Sequence, residues 1–216
     1  MSPAEQEEPW LPPARTAVPR ALAWWGAGIL LAASALLLTE PSTTAYLAVA
    51  RSGLDWPDLL ADILIVGLSA WFAVVTWRSR HARPTRAATG LAAGVGALGA
   101  YLSSELVKLL LTESRPCRNV LPAPDCPGAG DWSFPSNHAT VAFAVATAVV
   151  LVVGRWWSAG AYLPALVAAS SRVVDGVHFP HDVIAGAVIG TCTTVACALL
   201  LSRRLVPLVA RLSRRR

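Results

Sequence analysis

Residues 171–182 read Ser171-Arg172-Val173-Val174-Asp175-Gly176-Val177-His178-Phe179-Pro180-His181-Asp182. This stretch places one arginine, two histidines and two aspartates in a chain that is 55% hydrophobic and only 14% charged. Soluble domains carry about 25% charged residues, so the composition is typical of an integral membrane protein. Ionisable side chains at the edge of a hydrocarbon phase are costly and usually have both partners and a function. The stretch is therefore the first candidate for a functional site.

Apolar runs on both sides of this stretch predict an all-α, polytopic membrane protein with six transmembrane helices in a bundle. The predicted spans are about Ala21 to Thr39, Leu59 to Trp77, Ala87 to Leu111, a fourth that begins just after Pro135, Ala159 to Val174, and Pro180 to Leu201. Residues 1–20, rich in Pro and Glu, are expected to form a disordered tail. The transmembrane domain then covers residues 21–202, and residues 203–216 form a basic tail.

Basic residues are unevenly distributed between the two sides of the predicted bundle. Thirteen of the eighteen precede span one, follow span six, or lie between spans two and three or four and five. The five on the other side are Arg51, Lys108, Arg115, Arg118 and Arg172. Because basic residues mark the cytoplasmic side, both termini are expected to be cytoplasmic and the polar stretch extracytoplasmic. This topology signal explains the net charge of +5, and a nucleic-acid partner is not expected.

Two further polar clusters lie on the same predicted side of the membrane. One closes span three and contains Lys108 and Arg115, which are seven residues apart and would share a helix face. The other, Pro135-Ser136-Asn137-His138, directly precedes an apolar run. Ser136 or Asn137 can cap that helix and leave backbone N–H groups and the positive end of the helix dipole facing outward.

The three clusters are expected to converge at one end of the bundle. In the opening stretch, Gly176 permits a turn after Arg172, and Pro180 suits the first turn of span six. Three cations, a helix N-terminus and two histidines would then face one another. This combination of groups is suited to binding a doubly charged anion such as phosphate.

The clusters resemble the three-part signature of the type 2 phosphatidic acid phosphatase superfamily, in its membrane lipid phosphatase branch. The matching residues are Lys108, then six residues, then Arg115-Pro116; next Pro135-Ser136-Asn137-His138; and finally Ser171-Arg172, five residues, His178, three residues and Asp182. Their order, their spacing and their positions after spans three and five agree with that signature. One departure is Asn137 where the commonest form has Gly, and Asn tolerates a left-handed backbone better than most residues.

The resemblance implies a chemical role for each matching residue. His178 would be the nucleophile, Asp182 would hold the other ring N–H of His178, and His138 would be the general acid. The phosphoryl oxygens would be held by Lys108, Arg115, Arg172, the Ser136 side chain and the backbone N–H groups of the turn from Ser136 through Asn137 to His138. No metal ion or other cofactor is implied.

A site at the end of a membrane bundle predicts a lipid phosphate whose tail stays in the membrane. The first hypothesis is a polyprenyl diphosphate, undecaprenyl or decaprenyl. Phosphatidylglycerophosphate, phosphatidate and a prenyl-linked sugar phosphate are the alternatives. A non-catalytic lipid-binding protein or transporter is the alternative from another class, although binding alone would not require His178, Asp182 and His138 together. The oligomeric state is left open.

Four other polar residues near the clusters are expected to have structural roles. His181 would line the rim of the site, and Asp175 would support the local turn. Glu105 is three residues before Lys108, which predicts an ion pair on one helix face. Asp62 falls within span two and must face the bundle or a wet cavity, with no chemical role assigned.

The four cysteines separate into two pairs. Cys192 and Cys197 lie inside span six and are expected to pack as small apolar residues. Cys117 and Cys126 flank a Pro-rich loop on the predicted oxidising side. A disulfide between them is expected, the alternative being two free thiols.

Overall fold

A computed structural model describes residues 13–57, 59–123 and 125–214, and the regular elements in these ranges are all helical. The α-helices are α1 (Ala14–Ala35), α2 (Thr39–Arg51), α3 (Leu60–Ala82), α4 (Pro84–Leu110), α5 (Pro116–Asn119), α6 (Asn137–Val153), α7 (Tyr162–Val174) and α8 (Pro180–Arg214). Short 3-10 segments, Leu36–Leu38 and Trp156–Ala161, precede α2 and α7. The all-α prediction is confirmed.

Several of these helices are suited to a membrane. Within the described residues, four segments are long and apolar enough to cross a bilayer: Arg15–Arg51, Leu60–Arg80, Pro84–Leu110 and Pro180–Ser213. Helix α6 is a shorter apolar helix of 17 residues, and α7 has 13 residues. The chain is therefore a multi-pass membrane protein, while the count of six spans stays a prediction.

Helix α8 is the central helix of the bundle and packs against α1, α4 and α6. Its contact with α6 requires two glycines. A Cβ atom at Gly186 would lie 2.5 Å from the carbonyl oxygen of Ser136, and one at Gly190 would overlap the carbonyl oxygen of Thr140. Two small residues four apart let helix backbones approach closely. This packing brings the N-termini of α6 and α8 together, which positions the candidate site.

Part of the N-terminal tail that the sequence predicts to be disordered is helical. Residues 14–20 belong to α1, whereas the disorder predicted for residues 1–12 lies outside the described residues. At the other end, α8 continues to Arg214, so the described part of the predicted basic tail is a helix. Apolar contacts sustain this extension, because Val209 packs with Ala87 and Ala88 of α4.

The sequence does not predict helix α2, which lies between the first two predicted spans. Its formation depends on a contact that is distant in the sequence. Tyr46 of α2 is 1% exposed and meets Phe179 edge to face, with ring centroids 5.5 Å apart. Helix α2 therefore packs beside the turn that carries the opening polar stretch.

Candidate active site

His178 and Asp182 flank the start of α8. Helix α7 ends at Val174, Gly176 adopts a φ of +74°, and α8 begins at Pro180, as the sequence predicts. The turn carries His178 back toward α8, where its Nδ1 lies 3.3 Å from Oδ2 of Asp182. Both side chains are buried. The predicted histidine–aspartate pair is therefore formed.

Arg115 determines which ring nitrogen of His178 carries the proton. Nη1 of Arg115 lies 2.9 Å from Nε2 of His178. A guanidinium group only donates hydrogen bonds, so Nε2 must accept, and the ring N–H is on Nδ1, facing Asp182. Burial lowers the pKa of His178 to about 4; Asp182 opposes this effect, and the charges of Arg115 and Lys108 reinforce it. At neutral pH, Nε2 is therefore unprotonated, and its lone pair, which accepts from Arg115 here, can act as a nucleophile once that hydrogen bond is released.

Lys108 and Arg115 meet at one carboxylate. Nζ of Lys108 is 2.9 Å from Oδ1 of Asp131, and Nη2 of Arg115 is 2.8 Å from the same oxygen. The expectation that the two cations share a helix face is wrong, because α4 ends at Leu110 and Arg115 precedes α5. They converge because a loop turns back toward the end of α4.

Asp131 is the member of this group that sequence reasoning missed. It lies 23 residues from Lys108 in a loop, and no local spacing marks it. Burial acts to raise the pKa of Asp131, but hydrogen bonds and charge from Lys108 and Arg115 outweigh burial and lower it. Asp131 is therefore a carboxylate that neutralises part of the positive charge at the site.

Arg172, the third predicted phosphate-binding cation, is held beside His178 by the turn. Its carbonyl oxygen accepts the backbone N–H of His178 at 3.1 Å. Its Nη1 donates to Oδ2 of Asp175 at 2.8 Å, so the local role predicted for Asp175 is confirmed. Nε of Arg172 is buried and has no hydrogen-bond partner among the described residues.

The N-terminus of α6 differs in detail from the prediction. Ser136 occupies the N-cap position, but its side chain makes no capping bond, and its buried Oγ has no partner within the part of the chain that the structure describes. Its backbone N–H donates to the carbonyl oxygen of Asp182 at 3.0 Å and so is already used. The Asn137 side chain bonds to Ser104 and Glu105 of α4. Of this turn, the Ser136 hydroxyl is the group best placed to accept a new partner.

His138 forms a second histidine–aspartate pair. Its Nε2 lies 3.2 Å from Oδ1 of Asp62. Asp62 belongs to the first turn of α3, and its side chain is 60% exposed. The sequence analysis assigned Asp62 no chemical role, and the structure supplies a partner for it.

The sequence predicts that His181 lines the rim of the site, and this prediction is wrong. His181 is fully buried. Its Nδ1 lies 2.9 Å from Oγ of Ser42 in α2, and its Nε2 lies 3.0 Å from Oε1 of Glu113 and 3.3 Å from Oδ1 of Asp182. The unpredicted helix α2 thus holds His181 beneath the site. Glu113, His181 and Asp182 could together offer three metal ligands, although their contacts with one another already account for the arrangement.

Asp182 has a further partner that was not predicted. Oγ of Ser133 donates to Oδ2 of Asp182 at 2.5 Å, and the backbone N–H of Phe179 donates to the same oxygen at 2.8 Å. The carboxylate that faces His178 is therefore held by two donors that do not titrate. Its orientation is fixed independently of the histidine.

A disulfide closes residues 117–126, which precede Asp131 of the loop between α5 and α6. Cys117 and Cys126 are bonded, with their Cα atoms 5.8 Å apart, so the predicted pairing is confirmed. Arg118 donates to the carbonyl oxygens of Pro127 and Asp131 within the same loop. Cys192 and Cys197 are free thiols in α8.

The chain belongs to the PAP2 superfamily, whose family model matches residues 87–205. That range contains all three polar clusters. Together with relatives that are named phosphatases, the family defines the class of protein: this is a membrane lipid phosphatase.

Three comparisons relate the chain to particular members of this class. It is 37% identical over 152 residues to a decaprenylphosphoryl-5-phosphoribose phosphatase of Mycobacterium tuberculosis, covering 66% of this chain and 81% of that one. It is 35% identical over 94 residues to an undecaprenyl-diphosphatase of Sulfolobus acidocaldarius, covering 43% and 45%. The crystal structure of a transmembrane PAP2-type phosphatidylglycerolphosphate phosphatase from Bacillus subtilis superimposes with a TM-score of 0.51 at 19% identity, covering 90% and 96%.

Proposed function

We propose that this lipid phosphatase removes the terminal phosphate of a polyprenyl-linked substrate through a phosphohistidine at His178. The observation that supports this proposal most strongly is the buried Nε2 of His178, which is an acceptor at neutral pH and lies 2.9 Å from a guanidinium group. A buried neutral imidazole beside fixed cations combines a nucleophile with the charges that draw a phosphate toward it.

Phosphate binding and release of the nucleophile are coupled through Arg115. Its Nη1 covers the lone pair of His178 and its Nη2 is bonded to Asp131. A phosphate at this position offers stronger acceptors and rotates the guanidinium away from the ring. Nε2 then attacks phosphorus, and the developing positive charge of the ring is stabilised by Asp182 through Nδ1–H. Lys108 and Arg172 hold the remaining phosphoryl oxygens, and the hydroxyl of Ser136 donates to one of them.

His138 completes the reaction from the other side of the site. In the first step it donates a proton to the departing oxygen. In the second step, as a neutral base, it takes a proton from the water that attacks the phosphohistidine. Inorganic phosphate leaves and His178 returns to its neutral form. Asp62, 3.2 Å from His138, holds the imidazole ring in position for both transfers.

The substrate class is proposed from the relatives. The sequence favours a polyprenyl diphosphate, and the similarity to an undecaprenyl-diphosphatase supports this substrate. The similarity to a decaprenylphosphoryl-5-phosphoribose phosphatase extends over much more of both chains and favours a polyprenyl-linked sugar phosphate. We place the sugar phosphate first and the diphosphate second. Both substrates end in a phosphate with two ionisable oxygens, which suits the cation set.

The decisive experiment measures phosphate release by the purified protein in detergent micelles. The panel contains a polyprenyl-linked ribose phosphate, a polyprenyl diphosphate, phosphatidylglycerophosphate and phosphatidate, each with and without a chelator. We expect fastest release from the sugar phosphate and no effect of the chelator. If a chelator abolishes activity and a divalent ion restores it, the metal-independent mechanism is wrong. If the folded protein releases phosphate from no substrate, a binding or transport protein is the better hypothesis.

We also propose that the site faces the extracytoplasmic side and that both termini are cytoplasmic, which the distribution of basic residues supports. Single cysteines at Ser79 and Gly130, on a background in which Cys192 and Cys197 are replaced by Ala, report on the two ends of the bundle. An impermeant thiol reagent should label intact cells only at position 130. Labelling at position 79 alone would reverse the orientation.

A further inference from the structure

Asp131 lies where the bound phosphate of the proposed reaction has to lie. One of its carboxylate oxygens is within 2.9 Å of both Lys108 Nζ and Arg115 Nη2. These two cations are almost completely buried, with side-chain exposures of 6% and 4%. A second anion can take the position that bridges the two cations only if the Asp131 side chain moves away. Any ligand of this site therefore competes with a carboxylate that belongs to the protein.

The loop allows such a movement without unfolding. The backbone of Asp131 is held independently of its carboxylate, because its carbonyl oxygen accepts hydrogen bonds from Nε of Arg115 at 2.9 Å and from Arg118 at 3.1 Å. The side chain is 48% exposed, so it has solvent to rotate into. The Cys117–Cys126 disulfide closes residues 117–126, which precede Asp131 in the same loop. A tethered carboxylate of this kind acts as a competitor at high effective concentration.

Charge decides which ligands can displace this competitor. A phosphodiester headgroup, like the carboxylate, carries one negative charge, so an exchange gains no charge. A terminal phosphate carries about −1.5 to −2 at pH 7 and offers three strong acceptor oxygens, so its exchange gains both charge and hydrogen bonds. A membrane enzyme meets phosphodiester lipids in great excess over its substrate. Buried cations without an internal partner would be occupied by those lipids.

We propose that Asp131 is an intramolecular competitor for the phosphate site, which sets an affinity threshold that terminal phosphate groups pass and the phosphodiester headgroups of bulk lipid do not. This inference rests on the proposed function, because it concerns the same cations. The competition weakens every anion by the same factor. Its effect on specificity arises because only the stronger ligand still binds at the concentration found in the membrane.

The test compares Asp131→Asn with Asp125→Asn, which changes an exposed aspartate of the same loop. Phosphate release is measured in neutral detergent micelles with two inhibitors, inorganic phosphate and phosphatidylglycerol as a phosphodiester. Because a charge-assisted hydrogen bond is worth about 1.5–3 kcal/mol, we expect the Ki for both inhibitors to fall by about tenfold or more in Asp131→Asn. The wild-type protein and Asp125→Asn should be nearly insensitive to phosphatidylglycerol. Asp131→Glu keeps the charge and should behave like the wild type.

Unchanged or higher Ki values in a folded Asp131→Asn protein would overturn the inference and leave the phosphatase function standing. If that variant is too unstable for kinetic measurements, the effect of inorganic phosphate on its Tm tests the inference instead. An anion that replaces the lost carboxylate stabilises the folded state, so inorganic phosphate should raise the Tm of Asp131→Asn more than that of the wild type. An equal or smaller rise would also overturn the inference. This measurement needs no turnover, so it separates a failure of Asp131 from a failure of the proposed function.

Discussion

The two histidine–aspartate pairs use the same side chains in opposite surroundings. His178 and Asp182 are four residues apart on one turn, with side chains 2% and 0% exposed. His138 and Asp62 are 76 residues apart and join α6 to α3, with side chains 32% and 60% exposed. The first pair is buried away from solvent and is fixed by several hydrogen bonds. The second is partly exposed to solvent and, among the described residues, is held by one hydrogen bond.

This difference matches what the two histidines have to do. A nucleophile must stay neutral and keep one lone pair aimed at phosphorus, which burial and a fixed tautomer achieve. A general acid that later serves as a base must exchange protons with the solvent and admit a water molecule. This assignment predicts that substitutions in the buried pair lower activity far more than substitutions in the exposed pair. Substitutions in the buried pair should also lower activity on all substrates alike.

The largest effect is expected from His178→Ala. Loss of the nucleophile removes the covalent route, so kcat should fall by at least about 10⁴-fold on every substrate. Folding and phosphate binding should persist, which a phosphate-induced rise in Tm would show. In the wild type, Nε2 is protonated only below its pKa of about 4, so the acid limb of kcat/KM should lie near pH 4 rather than pH 6.5. Substantial turnover by His178→Ala would remove this residue from the mechanism.

Asp182→Asn should have the next largest effect, a fall in kcat of about 10³-fold, because the nucleophile remains but its tautomer and orientation are lost. The direction of the pH effect is defined. The negative charge of Asp182 raises the pKa of His178 against the effect of burial, so its removal should move the acid limb to still lower pH. Trapping with radioactive substrate and acid-labile phosphate analysis would report the intermediate. A limb that moves upward would contradict the proposed partnership.

Sequence reasoning found the buried pair and missed the exposed one for a physical reason. His178 and Asp182 are four residues apart with Pro180 between them, which is a local spacing, and Gly176 marks the turn that brings the two side chains together. The spacing and the turn can therefore both be predicted from the sequence. The contact of Asp62 with His138 depends on how α3 packs against α6, and that of Asp131 with Lys108 depends on the path of a loop. Neither has a local pattern. Helix α2 was not predicted for the same reason, because the burial of Tyr46 against Phe179 is a tertiary contact.

His138→Ala sharpens the comparison because its cost should depend on the leaving group. A sugar alkoxide is a poor leaving group and needs protonation, so kcat on a polyprenyl-linked sugar phosphate should fall by about 10²-fold. A polyprenyl diphosphate releases a less basic phosphate oxygen, so its rate should fall less. Parallel measurements of kcat on the two lipids would decide. An equal loss on both would show that His138 acts mainly in dephosphorylation of the enzyme.

The smallest effect is expected from Asp62→Asn, which leaves His138 in place and removes only the carboxylate that positions it. We expect a fall in kcat of about tenfold, and, as in His138→Ala, the loss should be larger on the sugar phosphate than on the diphosphate. Asp55→Asn, an exposed aspartate just before α3, is the matched control and should have no effect. The double variant separates positioning of the His138 ring from mere support of α3. If Asp62 acts through His138, then adding Asp62→Asn to His138→Ala should cause no further fall in kcat. Additive losses in that cycle would mean that Asp62 stabilises the helix end, and the exposed pair would not be a functional unit comparable with the buried one.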